Sequence, residues 1–135
     1  MPMGTLTGYA TPAVAFPTID HTYVISSHGH VWGCWGANVG GGQICTGNAN
    51  TDQAHCLSQP SCQAGIVYSI TGVCHQTANR ILVHTGQTVS RARGYRQSFF
   101  VWGTYGLDLA TLRHFSPSSY PWPQLQACVA NHRHP

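Results

Sequence analysis

The stretch HTYVISSHGHVWGCWG, residues 21–36, is the most informative part of the chain about its fold. Its first third, HTYVIS, alternates in the manner of a strand, and SSHG has the composition of a turn. The remainder, HVWGCW, again mixes β-branched and aromatic residues. The stretch therefore predicts a β-hairpin.

A helix is predicted further along the chain, in CHQTANRILVHTG, residues 74–86. Gly86 stands where a C-terminal cap belongs, and an apolar run precedes the helix. The apolar residues recur at i, i+4, i+7 and i+8, so they share one helix face: Cys74, Ala78, Ile81 and Leu82. The pattern thus places a cysteine at the start of a helix, on its apolar face.

The segments around these two elements are less regular. Residues 1–19 are rich in Pro, Thr, Gly and Ala, which indicates an extended lead-in. Residues 37–63 are poor in large apolar side chains and predict a cysteine-rich loop. Residues 87–106 suggest one or two strands around a turn at Arg93 and Gly94. Two short helices are predicted nearer the C-terminus.

Length and composition favour one globular domain over residues 1–135. The chain is 42% hydrophobic, but only 7% of its residues are charged, against roughly 25% in typical soluble domains. It has no Lys and no Glu, and its net charge is +3. That charge is too small to predict nucleic-acid binding. A chain without lysine cannot be ubiquitinated on a side chain, which would suit a toxin or effector delivered into a foreign cytosol.

The sequence shows neither a membrane span nor a signal peptide. No window reaches the roughly 18 consecutive apolar residues that a transmembrane helix needs. The start of the chain lacks the basic region and apolar core of a secretory signal. Export would therefore require a dedicated secretion machinery or a removed leader.

Cys74 has the position of a reactive thiol. At the start of a helix, unpaired backbone N–H groups and the helix dipole stabilise a thiolate, and the same groups can contribute to an oxyanion hole. A packed core cysteine is the alternative, since free cysteines are commonly buried. The nucleophilic interpretation therefore depends on a histidine that could take the thiol proton.

The histidines differ in how well they could serve Cys74. His75 projects about 100° away from its neighbour on a helix, and His84 lies near the far end of the same helix, so both are poor candidates. A hairpin strand packed against the helix N-terminus could instead bring a histidine beside the sulfur. The hairpin holds three candidates: His21, His28 and His30.

These two segments resemble parts of the NlpC-like papain-fold cell-wall peptidases. In that family a histidine opens a strand, a short turn follows, and a second strand ends near an orienting polar residue. GVCHQTANRIL is likewise similar to the family's strand-to-helix nucleophile turn. Because histidine precedes cysteine here, the order is similar to the circularly permuted branch that includes lecithin:retinol acyltransferase-like proteins. The resemblance covers residues 20–36 and 66–84.

The resemblance implies roles for individual residues. Cys74 matches the nucleophile, and His21 matches the histidine that opens the first strand. His30 is the second choice for the base, reached by a different strand register. GCW stands where the orienting polar residue would lie, which leaves Asn38, Gln43 or a backbone carbonyl for that role. The implied fold is α+β and papain-like, with a small antiparallel sheet packed on a central helix that carries the cysteine.

The other five cysteines suggest cross-links more than a metal site. A bridge from Cys45 to Cys56 or Cys62 would staple the polar loop. With His55, these residues could supply four zinc ligands, but they lack the short paired spacings of compact zinc sites. We therefore expect no metal and no cofactor. Disulfides would be drawn from Cys34, Cys45, Cys56, Cys62 and Cys128.

We therefore expect a cysteine hydrolase that cleaves an amide or peptide bond through a thioester on Cys74. Its partner would be a peptide or protein substrate. The resemblance suggests peptidoglycan stem peptides, and a protein of a target cell is equally open. The alternative is a non-enzymatic, disulfide-stapled binding module in which Cys74 is bridged or buried. The sequence identifies no delivery or inhibitor protein.

Overall fold

The computed structural model describes residues 3–13, 18–33, 38–51, 54–55, 72–82 and 85–102. Over these residues the chain forms four strands and two helices, which confirms the predicted α+β class. The strands are β1 (Met3–Pro12), β2 (Asp20–Ser26), β3 (Val31–Trp32) and β4 (Gly42–Asn50), and the helices are α1 (Cys74–Leu82) and α2 (Tyr95–Trp102). The predicted C-terminal helices lie outside the described residues.

The four strands form one antiparallel sheet in the order β3-β2-β1-β4. β1 lies between β2 and β4, and Tyr9 of β1 faces Tyr23 of β2. The register with β4 shifts between Gly8 and Tyr9. β2 and β3 form the predicted hairpin, with Val24 opposite Trp32.

Two of the strands occupy segments in which the sequence predicted no strand. Residues 1–19 contain β1, which is a central strand and not a lead-in, and the predicted loop 37–63 contains β4. Both strands are rich in Gly and in polar residues, so neither carries a strong apolar alternation. The ladder of backbone hydrogen bonds, which depends little on side-chain type, orders them instead.

The prediction of strands after α1 is wrong, because residues 95–102 form the helix α2. The aromatic composition of YRQSFFVW favoured a strand. Tyr95 and Ser98 lie about one turn apart on one face of the helix and contact His75 of α1. Gly94, in the turn before the helix, has a φ of 84°, so the predicted turn is present.

α1 packs against β2, and all nine of its residues are buried. Its polar side chains are therefore enclosed together with its apolar face. Asn79, for example, donates from Nδ2 to the Tyr95 hydroxyl at 2.9 Å and accepts at Oδ1 from the Val89 N–H at 2.8 Å. The apolar core joins the sheet to α1 and to residues before and after it in the chain: Leu6, Val24, Trp32, Ala49, Ala54, Ala78, Ile81, Leu82 and Val89.

Candidate active site at the start of helix α1

α1 begins at Cys74 because Val73 takes the N-cap position. The Thr77 N–H donates to the Val73 carbonyl at 3.0 Å, and the Val73 N–H donates to Oε1 of Gln76 at 3.0 Å. The second bond is half of a capping box, in which the third residue of the helix bonds back to the cap. Valine has no side-chain oxygen to complete the box. The N–H groups of Cys74 and His75 act to lower the pKa of the Cys74 thiol.

The Cys74 sulfur lies against the first residues of β2. Its thiol donates to the Asp20 carbonyl, with 3.9 Å between Sγ and the oxygen. The backbone N–H and the hydroxyl of Thr22 also act to lower the pKa of the thiol. That hydroxyl is buried, and it has no hydrogen-bond partner at bonding distance in the described part of the chain. Asp20 and Thr22 flank His21 in the strand, so the helix start meets β2 at the predicted histidine.

Burial dominates the protonation of Cys74, which is 9% exposed. It raises the pKa of the thiol above its usual range. The surrounding donors, from Thr22, His75 and Cys74 itself, act in the opposite direction without outweighing burial. The resting thiol is therefore protonated at neutral pH, within a shell of donors that would stabilise a negative charge.

His21 is 3% exposed and lies on the other face of β2 from Thr22, since successive strand residues alternate. Its ring stacks on Tyr23 with 6.1 Å between centroids. Its Nε2 lies 2.7 Å from Oδ1 of Asn38, one of the three candidates for the orienting role. Gln43, another candidate, lies on β4 and is separated from β2 by β1.

The structure brings the backbone at His21 to Cys74, but it does not join the two side chains. Among the described residues, no hydrogen bond links the His21 imidazole to the Cys74 thiol; each has a different partner, Asn38 for His21 and the Asp20 carbonyl for Cys74.

His30 lies at the opposite end of β2 from Cys74. Its carbonyl accepts from the Ser26 N–H at 2.9 Å, and its ring stacks on Trp32. Asp20 and Ser26 are the two ends of the seven-residue strand, roughly 20 Å apart at 3.3 Å per residue. The structure therefore separates this second candidate base from the sulfur.

His75 is buried beside Cys74 and is hydrogen-bonded at both ring nitrogens. Nε2 lies 2.8 Å from the Asp20 carbonyl oxygen, and Nδ1 lies 2.9 Å from Oγ of Ser98. Burial lowers the pKa of this imidazole, and the Asp20 carbonyl and carboxylate oppose that effect only in part. His75 is therefore neutral at pH 7 and is held between β2 and α2.

Asp20 ties the site to the turn before α2. Its carboxylate accepts from Nε and Nη2 of Arg93 at 3.0 and 2.8 Å, and from the Arg93 N–H at 2.8 Å. Burial alone would raise the pKa of Asp20, but the hydrogen bonds and charge of Arg93 outweigh it and lower the pKa.

Sequence reasoning missed Asp20, Thr22 and Ser98. For Asp20 a signal existed, since it is one of three acidic residues and precedes the candidate histidine.

The described residues contain no metal centre. No group of three or more His, Cys, Asp or Glu side chains in these segments is placed to hold a metal ion. Cys45 lies on β4, and Cys45 and Cys74 are both free thiols. The remaining cysteines proposed for disulfides lie outside the described residues: Cys34, Cys56, Cys62 and Cys128.

Neither of the two described helices is long and apolar enough to cross a membrane. No family model, curated protein or solved structure matches the chain.

Proposed function

We propose that the protein is a cysteine hydrolase that cleaves an amide or peptide bond through a thioester on Cys74. The observation that carries this proposal is the contact between the start of α1 and the beginning of β2. There a thiol at a helix N-terminus meets the strand segment that holds the part-buried His21–Asn38 pair. The finer fold description that we propose is papain-like, of the permuted NlpC-like type.

In the proposed reaction, the Cys74 sulfur attacks the carbonyl carbon of the substrate and His21 takes the thiol proton. The N–H of Cys74 and the hydroxyl of Thr22, which lie near enough to the sulfur to lower its pKa, would donate to the oxyanion. His21 then protonates the leaving amine as the C–N bond breaks and the thioester forms. Water hydrolyses the thioester, with His21 as its base.

The His21–Asn38 bond supports a base at this position. An amide oxygen at Nε2 favours the tautomer in which Nε2 carries the proton, so Nδ1 is left with the lone pair that a base needs. The reaction requires this imidazole to turn toward the sulfur past the edge of β2. His21 is the second residue of the strand, so this rotation of its side chain would affect only the end of β2.

Acyl trapping tests the proposal. The protein is incubated with 4-nitrophenyl acetate and quenched in acid, and the acetylated peptide is identified by mass spectrometry. We expect acetyl on Cys74 in the native protein and in Cys45→Ser, which removes the other described free thiol. The His21→Ala variant should acylate about 100-fold more slowly. Native protein that never acylates Cys74, or His21→Ala that acylates it at the native rate, would count against the mechanism.

A non-enzymatic interaction module is the second candidate, and two observations favour it. The Cys74 thiol is buried with a raised pKa, and α2 exposes three consecutive apolar side chains: Phe99, Phe100 and Val101. Resistance of Cys74 to iodoacetamide near pH 7 in the native protein, with modification after unfolding, would support this alternative over the hydrolase.

A further inference from the structure

We propose that His75, which lies outside the expected dyad, is a positioning residue for the Cys74 nucleophile. In this role Ser98 holds its imidazole and lets it carry a second proton beside the sulfur. The proposal rests on the proposed role of Cys74 and adds to it a residue that helical spacing alone had excluded.

The shared Asp20 carbonyl limits the distance between the sulfur of Cys74 and Nε2 of His75. Sγ of Cys74 lies 3.9 Å from this oxygen and Nε2 of His75 lies 2.8 Å from it. The sulfur and the nitrogen are therefore at most 6.7 Å apart, the sum of those two distances. Adjacent residues on a helix point about 100° apart, but a carbonyl that lies between them brings both donors to one atom.

The partners of His75 determine its tautomer. A carbonyl oxygen can only accept, so Nε2 must carry the proton that bonds to Asp20. In the neutral ring Nδ1 then has only a lone pair. The Ser98 hydroxyl, 2.9 Å away, must therefore donate its hydrogen to Nδ1.

Ser98 also has a second acceptor in place. Its Oγ lies 2.9 Å from the Tyr95 carbonyl, and it accepts from Nε2 of Gln76 at 3.2 Å. If Nδ1 of His75 gains a proton, that N–H donates to the Ser98 oxygen, and the Ser98 hydrogen rotates to the Tyr95 carbonyl. Nδ1 of His75 and Oγ of Ser98 are hydrogen-bonded in both states, and only one hydrogen changes direction.

The other charged or titratable groups described around His75 include one that favours the imidazolium and one that opposes it. The Asp20 carboxylate on β2 favours the imidazolium, although Arg93 already pairs with that carboxylate. His21 on β2 opposes it if protonated. From α2, Tyr95 presents a ring 5.8 Å away between centroids. Cys74 is a further titratable neighbour among the described residues, and the imidazolium would stabilise its negative charge.

The effect on Cys74 has a definite size. At an effective dielectric constant of about 20, a unit positive charge no more than 6.7 Å from the sulfur favours the thiolate by at least about 50-fold. His75 would then help to activate a thiol that burial keeps protonated, without accepting its proton directly.

The first measurement requires no variant. Nitrogen-15 NMR of the full chain, with the His75 signals assigned through His75→Gln, should show the Nε2–H tautomer at pH 8 and a doubly protonated ring at low pH in the folded protein. The Nδ1–H tautomer, or a ring that gains a proton only on unfolding, would overturn the proposal.

The second measurement follows the pH profile of Cys74 alkylation, read on the Cys74 peptide by mass spectrometry. As the pH falls through the folded pKa of His75, which lies below 6.5, the rate in the native protein should fall less than tenfold per pH unit. In His75→Gln it should fall tenfold per unit and be at least about 50-fold lower at the acid end. Ser98→Ala should behave like His75→Gln, and Ser98→Thr, which keeps the hydroxyl, should restore the native profile.

Identical profiles in the native protein and in folded His75→Gln would overturn the proposal. Failure of the proposed hydrolase is distinguishable, because acyl trapping on Cys74 would then be absent while the tautomer and the alkylation profile remain as expected.

Discussion

Nε2 of His21 lies 2.7 Å from Oδ1 of Asn38, which joins the start of β2 to a residue beyond the hairpin. Asn38 also lies close to Gly33, where a Cβ would come within 2.3 Å of its side-chain oxygen. The lack of a side chain at Gly33 therefore leaves the space that the Asn38 amide occupies. One glycine and one amide thus determine the orientation of the candidate base.

Asn38→Ala should weaken both the fold and the proposed reaction. The substitution leaves the Nε2–H of a buried imidazole without its acceptor, which costs about 1–2 kcal/mol in the free energy of unfolding. It also releases the ring, so acylation of Cys74 should slow by about tenfold or more. Asn38→Asp is the matched control, because a carboxylate still accepts from Nε2. Urea unfolding and acyl trapping measure the two effects, and equal acylation in the alanine variant and the native protein would remove Asn38 from the site.

Arg93→Gln should lower stability at neutral pH and reduce the response to acid. The folded pKa of Asp20 is lowered from 3.8, so its stabilising contribution is present above about pH 4 and is lost as the pH falls through the folded pKa. Since the Arg93 side chain is 53% exposed, we expect a loss of only about 1 kcal/mol at pH 7. Urea unfolding from pH 7 to pH 2 measures it.

Arg96→Gln is the control for this substitution, because Arg96 is exposed on α2 and makes no salt bridge with the described residues. The native protein and Arg93→Gln should converge in stability at the acid end. A constant difference between them across the whole range would show that the ion pair does not account for the effect.

His75 should make stability depend on pH over a different range. Its folded pKa is lowered from 6.5 by burial, so the unfolded chain binds a proton first. The free energy of unfolding should therefore fall as the pH drops from 6.5 toward the folded pKa. In His75→Gln this component should be absent, although the variant is less stable at pH 7. A native profile that is no steeper than the variant's between pH 7 and pH 5 would contradict the assignment.

The sequence predicted the elements that local patterns specify. The hairpin from His21 and the helix from Cys74 follow from strand alternation and helical spacing, and both are present. β1 and β4 were missed, and the ladder between them joins segments about 40 residues apart, such as Thr7 with Thr46. Pairing between segments so far apart in the sequence is not indicated by the amino-acid composition of either segment.

The residues of the candidate site likewise include some that local sequence patterns indicate and some that depend on distant contacts. Cys74 could be singled out from its place at a helix start, and Asn38 from its nearness to the hairpin. The contacts of Asp20 could not be predicted, since its carboxylate binds Arg93, 73 residues later in the chain. The role of Ser98 could not be predicted either. Its segment was predicted to be a strand, and its contact with His75 depends on the helix α2.

Gly94→Ala should be more destabilising than Gly86→Ala, although both glycines have positive φ, 84° and 74°. An alanine at either position incurs the backbone strain of the left-handed region, about 1–2 kcal/mol. At position 94 the new Cβ would also come within 2.6 Å of Cγ2 of Ile19, whereas at position 86 nothing lies within 4 Å. The difference between the two variants therefore isolates the steric contact.

The clash at Gly94 should also disturb the candidate site. The Asp20 N–H donates to the Arg93 carbonyl at 2.9 Å, so pushing the turn away from Ile19 separates residues that bond to Asp20. We expect Gly94→Ala to lose about 1 kcal/mol more than Gly86→Ala and to acylate Cys74 more slowly. Adding Ile19→Ala should recover the extra loss, because it removes the atoms that the new Cβ would meet. Urea unfolding of the two single variants, the Ile19→Ala control and the double variant measures this coupling; equal losses for Gly94→Ala and Gly86→Ala would contradict it.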